Sequence, residues 1–404
     1  MKAAGIICEF NPFHNGHKYL FDNVRQDVKP DAVVCVMSGD FVQRGEPALW
    51  DKYDRAEMAV LSGADIVIEL PVCFSLNAAK EFAKGGISIL KSLGIIETLA
   101  FGSECGNAQI LERIACNTYK ETREFSDVLK IYLAQGMSYP AAYQCTLQDV
   151  FSDLNANIFT QPNNVLAIEY LKQNLLQEAG FKAYTMQRFG VGHDANSVSG
   201  EFASGKYLRE LILEEGNITI NYDKYVPECI KEKISVGIVP LSVINSNLFE
   251  LLRYKVLTST AEELADALEI SEGLENKIKK EVLEAEALDD LIFKVKSKRY
   301  TYARISRILM QILLEINKSE CEKAGELKNL RVLAFNNKGR EVINEVGKIG
   351  NVNLITNIDK QYFDKNHDFY LDLDMKAADI YSIISSRNIY RKNDMVCNSI
   401  YCNI

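Results

Sequence analysis

The stretch AAGIICEFNPFHNGHKYLFDNVRQ, residues 3–26, decides the fold of this 404-residue chain. It begins with a short apolar run, passes through a turn marked by an Asn-Pro pair, and enters a helical pattern after Gly16. An apolar run without polar alternation is typical of a strand buried on both faces of a parallel sheet. Two of the chain's four histidines, His14 and His17, lie in this turn. The stretch therefore predicts a strand, a polar turn and a helix, in that order.

The same alternation of strand and helix continues over the first two hundred residues. Apolar runs at 31–37, 65–70, 97–102 and 182–188 predict further strands, and helical patterns separate them. Such alternation predicts an α/β fold with a Rossmann-like, doubly wound parallel sheet. Ligands of these sheets bind beyond the carboxyl ends of the strands. We therefore expect four segments that follow strands to meet at one rim: NPFHNGH, SGDFVQRG, FGSEC and RFGVGHDA.

Beyond residue 220 the pattern changes to helical periodicity. We predict three units: a Rossmann-like domain at 1–220, a mainly helical region at 221–325, and a small C-terminal α/β unit at 326–404. Apolar runs at 331–335 and 352–356 predict the strands of the third unit.

The composition excludes several classes of protein. A hydrophobic content of 47% with 25% charged residues is typical of a soluble globular protein. No apolar stretch is long enough to cross a bilayer, and the first one breaks at Glu9, so we expect a cytoplasmic protein without a membrane partner. Ten scattered cysteines without CxxC spacing predict free thiols. A net charge of -9 argues against indiscriminate binding to polyanions, and no DNA partner is expected.

The context of HNGH, between a strand and a helix, indicates a chemistry. A helix N-terminus offers N–H groups and a positive dipole end, which suit a phosphate. His14 and His17 add donors for charge that develops on the α-phosphate of ATP, and Gly16 lets the phosphate approach the backbone. The arrangement indicates adenylyl transfer, which depends on positioning and electrostatic stabilisation. Two surface histidines in a turn would give the same tetrapeptide. A metal site is disfavoured because no carboxylate or third histidine is spaced to complete it.

A second segment, FASGKYLREL at 202–211, supports the first. Ser204 at a helix start would cap the helix and leave N–H groups free for the β- and γ-phosphates. Lys206 and Arg209 could neutralise departing pyrophosphate. A capped amphipathic helix with solvated cations is the alternative, and the presence of HNGH favours the functional interpretation.

Together these segments resemble the HxGH nucleotidyltransferases, which have a Rossmann-like fold. Within that superfamily the chain is similar to the tRNA(Met) cytidine acetate ligase family over residues 1 to about 335. The block SGDFVQRGEPALWDKYDRAEMAVLSGADIVIELP is the most specific part, and FGSE, QPNNVLAIEYL, GHDA and KSKRYTYARISRILMQILL add to it.

The resemblance implies an ATP-dependent ligase that activates acetate as acetyl-adenylate and acetylates N4 of the wobble cytidine, C34, of elongator tRNA(Met). It implies ATP as substrate and acetate as co-substrate, with no acetyl-CoA. Mg²⁺ is expected with ATP, but the sequence shows no dedicated metal cage. The implied ATP contacts are Ile7, Glu9, Asn11, Pro12, His14, Gly16, His17, Leu20, Gly102, Asn163, Arg188, Phe189 and Ser204. At position 206 the family more often has a small or hydroxyl residue than the lysine of this chain.

Polar groups after the second strand suit the remaining substrates. Asp40, Gln43 and Arg44, in SGDFVQRG, could orient acetate or the cytosine, although a solvated loop would look the same. We count Asp40 with His14, His17, Lys206 and Arg209 as catalytic candidates. In GADIVIELP, which predicts sheet core, Glu69 is the one residue with a suspected function.

The run FKVKSKRYTYARISR, residues 293–307, is basic in an acidic protein and contains no acid. Cations with interleaved tyrosines suit RNA phosphates and the stacking of loop bases, although most such runs are solvated helix edges. The predicted tRNA contacts are Lys298, Arg299, Tyr300, Arg304 and Arg307.

Two further functions fit parts of the sequence. A small-molecule adenylyltransferase would share HNGH, but the additional helical half with its basic run disfavours it. An RNA-binding protein with a purely structural nucleotide pocket is the non-enzymatic alternative.

Overall fold

A computed structural model describes residues 1–137, 139–188, 200–215, 222–234, 241–271, 273–297, 300–358, 368–386 and 394–404. Its strands are β1 (Ala3–Cys8), β2 (Ala32–Ser38), β3 (Phe41–Val42), β4 (Glu46–Pro47), β5 (Ile66–Leu70), β6 (Ile96–Ser103), β7 (Lys182–Gln187), β8 (Asn329–Phe335), β9 (Asn353–Ile355) and β10 (Ile400–Tyr401).

The helices of the first half are α1 (Asn15–Asn23), α2 (Lys52–Leu61), α3 (Val72–Ser75), α4 (Ala79–Ser92), α5 (Ala108–Thr118), α6 (Arg123–Ala134), α7 (Tyr139–Val150), α8 (Pro162–Leu176) and α9 (Gly205–Glu215). Those of the second half are α10 (Lys231–Ile234), α11 (Leu241–Thr258), α12 (Ala261–Ala265), α13 (Leu274–Glu281), α14 (Leu288–Val295), α15 (Tyr302–Leu314), α16 (Lys318–Cys321), α17 (Asn337–Ile349) and α18 (Phe369–Ile384).

The central sheet has the order β10-β8-β5-β2-β1-β6-β7, with β9 paired to β8. All of these strand pairs are parallel except β5 with β8. The chain leaves β1 in one direction through β2 and β5 and in the other through β6 and β7. The carboxyl ends of the neighbouring strands β1 and β6 therefore mark the topological switch point, where sheets of this kind bind ligands. The predicted α/β fold with a parallel central sheet is confirmed.

Both faces of the sheet are buried, as the continuous apolar runs predict. Val34 and Val36 of β2 pack into a core with α4, α5 and α8, while Val33 and Cys35 pack on the opposite face with α1 and α2. Alternate residues of one strand thus enter two separate cores. A third core joins α11, α13, α14, α15 and α18, and it includes Phe41 of β3. No helix in the described ranges is long and apolar enough to span a membrane.

The C-terminal segment contributes strands to the central sheet rather than to a sheet of its own. Val67 of β5 pairs antiparallel with Ala334 of β8, and β10 pairs with β8 on its other side. Strands predicted at 331–335 and 352–356 are confirmed as β8 and β9, but β8 lies beside β5. The domain boundaries near 220 and 325 stay a prediction.

A buried cluster of charged groups fixes this segment to the first half of the chain. The Lys52 ammonium lies 2.8 Å from a Glu69 oxygen and 2.6 Å from an Asp394 oxygen, and all three side chains are almost fully buried. Tyr53 donates to Asp394 at 2.7 Å, and Arg331 donates to the Tyr53 hydroxyl at 2.9 Å. Ion pairs this deep are held only where hydrogen bonds satisfy both partners, as here.

Candidate active site

The histidine turn lies at the switch point of the sheet. His14 is the N-cap of α1 and follows β1, which is hydrogen-bonded to both β2 and β6. Phe10, Phe13 and Phe21 pack together beneath the turn, and Phe10 and Phe13 contact the His17 ring. The apolar residues that flank the motif therefore hold its two imidazoles in place.

The two imidazoles stack on each other and share the capping of α1. Their ring centroids are 3.7 Å apart. The Gly16 N–H donates to Nδ1 of His14 at 3.0 Å, and the His14 N–H donates to Nδ1 of His17 at 3.2 Å. A nitrogen that accepts an N–H carries no proton, so each neutral ring has its proton on Nε2. Each histidine therefore keeps one N–H donor that does not take part in the cap.

Both histidines are held neutral. Burial and then the charge of Arg188 lower the pKa of His14 to about 3. Burial, His14 and Arg188 together lower the pKa of His17 well below its ordinary value. At neutral pH the pair therefore offers uncharged donors, and the positive charge of the site comes from arginines.

Arg209 reaches the histidine turn from α9. Its Nη1 donates to the carbonyl of Asn11 at 2.7 Å, and its Nε lies 3.4 Å from a Glu46 oxygen. The predicted cap of α9 is confirmed, since the Tyr207 N–H donates to the Ser204 hydroxyl at 3.1 Å. Lys206 is exposed and pairs with Glu210 on the same helix at 3.5 Å. Of the two predicted cations, the contacts bring only Arg209 to the turn.

Arg188 approaches from the other side of the switch point. Its side chain packs over Gly102 of β6, and its backbone N–H donates to the Ser103 carbonyl at 2.9 Å. Its Nε is buried without a hydrogen-bond partner in the described part of the chain. A buried, unpaired guanidinium nitrogen beside two imidazoles is suited to an anionic ligand.

Asn163 lies at the same rim, but its amide is already engaged. It donates to Glu104 at 2.7 Å, and the backbone N–H groups of Asn163 and Asn164 donate to the same carboxylate. Glu104, in the predicted FGSE segment, therefore caps α8 and fixes Asn163 in place.

The remaining predicted ATP contacts differ in what they can offer. The Ile7 side chain packs in the core on one face of the sheet, and the Leu20 side chain packs against the core on the other face. These apolar side chains can shape a ligand site but cannot donate hydrogen bonds to the ligand. Pro12 follows Asn11, whose side-chain oxygen accepts the Leu49 N–H at 2.9 Å. Phe189 and the GHDA segment lie outside the described residues.

The SGDFVQRG turn stands beside the histidine turn. The Gln43 N–H donates to Glu9 at 2.6 Å, and this bond joins the exits of β1 and β2. Asp40 is buried and accepts the Lys52 N–H at 2.7 Å. Burial, opposed by Lys52, raises the pKa of Asp40 to about 6. Glu69 lies directly beneath Gly39, and burial raises its pKa to about 7.

Arg55 organises both turns, and sequence reasoning missed it. Its side chain is fully buried on α2. Its Nη1 donates to the carbonyls of Glu9 at 2.6 Å and Ser38 at 3.1 Å, its Nη2 to Gly39, and its Nε to Trp50 at 3.0 Å. One guanidinium thus connects the strand exits that carry the histidines and Asp40. The available signal was an arginine within the apolar pattern of α2.

Gly16→Ala should lower activity with little loss of stability. An added Cβ would lie 2.8 Å from Cε1 of His14, so the imidazole has to move. The sequence alone indicates a different reason for glycine at position 16, namely room for a phosphate to approach the backbone. We expect the melting temperature to stay within a few degrees, because alanine favours the helix, while kcat falls at least about tenfold. Equal kcat for the two proteins, measured by pyrophosphate release, would contradict this.

The predicted tRNA contacts have different surroundings. Tyr300 is 7% exposed, and its hydroxyl donates to the Ser271 carbonyl at 2.6 Å, so its ring is largely covered by the protein itself, and its contact with tRNA stays a prediction. Arg304 covers that ring, and Arg307 forms a two-bond ion pair with Glu269. The basic run 293–307 contains no acid, and the carboxylate that pairs with Arg307 comes from another segment of the chain. Lys298 and Arg299 lie outside the described residues.

The described residues contain no group of three or more His, Cys, Asp or Glu side chains that could hold a metal ion.

Comparison with known proteins agrees with this geometry. Residues 1–395 match the model of the family described as HIGH Nucleotidyl Transferase. A tRNA(Met) cytidine acetate ligase of Caldicellulosiruptor saccharolyticus is 38% identical over 389 residues, which cover 95% of this chain and 94% of the relative. The crystal structure of apo Thermotoga maritima TmcAL has a TM-score of 0.87 at 30% identity, with both chains covered completely. The same protein bound with alpha-thio ATP has a TM-score of 0.85.

Proposed function

This chain belongs to the tRNA(Met) cytidine acetate ligase family of HIGH nucleotidyltransferases, and from that premise we propose that it activates acetate with ATP and acetylates a tRNA. The acceptor is N4 of the wobble cytidine, C34, of elongator tRNA(Met), and the products are N4-acetylcytidine, AMP and pyrophosphate. The observation that carries the proposal is the stacked pair of neutral histidines, each with an Nε2 donor outside the helix cap, beside the Arg188 Nε, which has no hydrogen-bond partner among the described residues.

In the first step an acetate oxygen attacks the α-phosphate of ATP, and the bond to pyrophosphate breaks. The Nε2–H groups of His14 and His17 donate to the α-phosphate oxygens, whose negative charge increases in the transition state. Arg188 and Arg209, on opposite sides of the turn, neutralise the phosphates. Mg²⁺ bound to the phosphates of the nucleotide would supply further charge neutralisation; the acetyl donor is acetate, not acetyl-CoA.

In the second step the N4 amine attacks the acyl carbon of acetyl-adenylate, and AMP leaves. A proton has to leave the amine as the amide forms. Asp40, with a pKa of about 6, is mainly ionised at neutral pH and can accept that proton. Gln43 and Arg44, in the same turn, orient the acetate or the cytosine.

The tRNA approaches from the helical region. Ser306 of α15 donates to the Gly45 carbonyl at 2.7 Å, so this region docks directly on the β3–β4 hairpin. Gly45 has φ +81°, and its Cα lies against the Arg307 backbone, where a Cβ would clash. The helical region, from which the tRNA approaches, and the hairpin, which belongs to the turn that orients acetate, therefore meet at one rigid contact. Both substrates, ATP and tRNA, are cytoplasmic, and so is the reaction.

An assay with ATP, radiolabelled acetate and bulk tRNA tests the proposal. We expect label in RNA at cytidine, with one pyrophosphate released for each acetyl group transferred. Adenylyl transfer to a small nucleotide-like acceptor, without labelled RNA, would support a small-molecule adenylyltransferase instead. No turnover with any acceptor would support the non-enzymatic alternative, an RNA-binding protein with a structural nucleotide pocket.

The charge reversal Arg299→Glu separates the two half-reactions. We expect KM for tRNA to rise at least about tenfold, because a phosphate contact becomes a repulsion, while acetate-dependent ATP turnover without tRNA is unchanged. Arg123→Glu, on the exposed surface of α6, is the matched control. Equal loss of both activities in Arg299→Glu would refute the division of labour.

A further inference from the structure

Two aromatic rings are exposed side by side in the helical region. Phe293 of α14 is 63% exposed and Tyr302, the first residue of α15, is 38% exposed. Their ring centroids are 5.8 Å apart, and the Lys296 ammonium lies 6.0 Å from the centre of the Phe293 ring. Large rings normally bury most of their surface, so an exposed pair on one patch indicates an interaction site.

The pair is held in a fixed position. On the inner side of α14, Leu291 and Ile292 are fully buried. The Tyr302 hydroxyl donates to Asp289, and the Thr301 side chain caps α15. The exposed rings therefore stand on a rigid base and lose little conformational entropy when a ligand contacts them.

Contacts lead from the helix that carries Tyr302 to the histidine turn. Ser306 of α15 donates to the carbonyl of Gly45, which precedes Glu46 in the β3–β4 hairpin, at 2.7 Å. Glu46 lies 3.4 Å from Arg209, which donates to the Asn11 carbonyl. The hairpin and Arg209 thus connect α15 to the turn that carries His14.

We propose that Phe293 and Tyr302 form a stacking platform for a nucleobase of the tRNA loop that neighbours the target cytidine. The inference rests on the proposed function and adds the residues that hold the splayed loop at the site. Proteins that bind splayed RNA loops stack their bases on exposed aromatic rings, and such stacking tolerates any base.

Charge favours RNA over an apolar protein partner. Two carboxylates on α14, the helix of Phe293, are already engaged: Asp289 accepts from Tyr302, and Asp290 pairs with Lys294 at 2.9 Å. The exposed ring of Phe293 is instead next to the Lys296 ammonium, which can contact a phosphate beside the stacked base.

Steady-state kinetics of Phe293→Ala in the full-length protein test the platform. We expect KM for tRNA to rise about tenfold or more, with acetate-dependent pyrophosphate release in the absence of tRNA unchanged. Phe293→Trp should restore the wild-type KM, because indole also stacks on bases, whereas Phe293→Leu should not. Tyr254→Ala is the matched control, since Tyr254 is 68% exposed on α11 of the same region, and its KM should equal that of the wild type.

Three outcomes would overturn the inference while leaving the proposed function intact. An unchanged KM for tRNA in Phe293→Ala excludes a contact with the RNA. A wild-type KM in Phe293→Leu shows that only an apolar contact is needed. A change in sedimentation coefficient in Phe293→Ala would assign the patch to a protein interface. If the wild-type protein makes neither acetyl-adenylate nor acetylated RNA, the proposed function itself has failed.

Discussion

We expect His17→Asn to lose about 100- to 1000-fold in acetate-dependent pyrophosphate release, while its melting temperature stays within a few degrees of the wild type. The asparagine side-chain oxygen can take the place of Nδ1 and accept the His14 N–H, so the cap of α1 survives. The Nε2–H donor is lost, and with it the stabilisation of charge on the α-phosphate. Initial rates of pyrophosphate release and a thermal melt measure the two effects separately.

His17→Gln is the complementary variant. At the third helical position glutamine can still accept the His14 N–H and complete the capping box, and its longer amide can place an N–H near the position of Nε2. We expect it to retain more activity than His17→Asn, with a melting temperature within a few degrees of the wild type. If His17→Asn kept full activity, the histidine would serve only as a cap and the assigned role in adenylation would be wrong.

We expect Arg55→Met to lower the free energy of unfolding by about 3–5 kcal/mol. Methionine fills a similar volume but leaves the carbonyls of Glu9, Ser38, Gly39 and Trp50 buried without their donor. Urea denaturation of the purified protein measures the loss.

The control is Arg113→Met, which removes an arginine whose ion pair with Asp153 is on the surface. We expect its denaturation midpoint to match the wild type. Equal stability of Arg55→Met and wild type would show that water or other donors can satisfy the four carbonyls. Arg55→Lys should be intermediate, since one ammonium cannot reach all four acceptors.

The sequence predicts the sheet well because a strand that is buried on both faces consists of a nearly continuous run of apolar residues. It also locates the histidine turn, because the order of strand, turn and helix is local. It does not reveal that β8 inserts next to β5, since antiparallel pairing across some 270 residues depends on tertiary packing alone.

In the candidate site, too, features set by neighbouring residues can be predicted from the sequence, and features set by tertiary packing cannot. Ser204 as a helix cap follows from neighbouring residues and is confirmed. Arg55 and Lys52 are missed because a buried cation and a solvated one look alike in sequence. Their roles depend on carbonyls and carboxylates that the fold brings together. The surroundings of Tyr300 and Arg307 are hidden in the sequence for the same reason, since their partners Ser271 and Glu269 come from an earlier loop.

The insertion of β8 beside β5 has a consequence for biosynthesis. A nascent chain that has emerged only through β7 exposes the free edge of β5, and its Lys52 lacks Asp394. The sheet that carries the candidate active site is therefore incomplete until residues 329–401 have left the ribosome. Open sheet edges template aggregation, so translation speed through the helical region sets how long the unfinished enzyme is vulnerable.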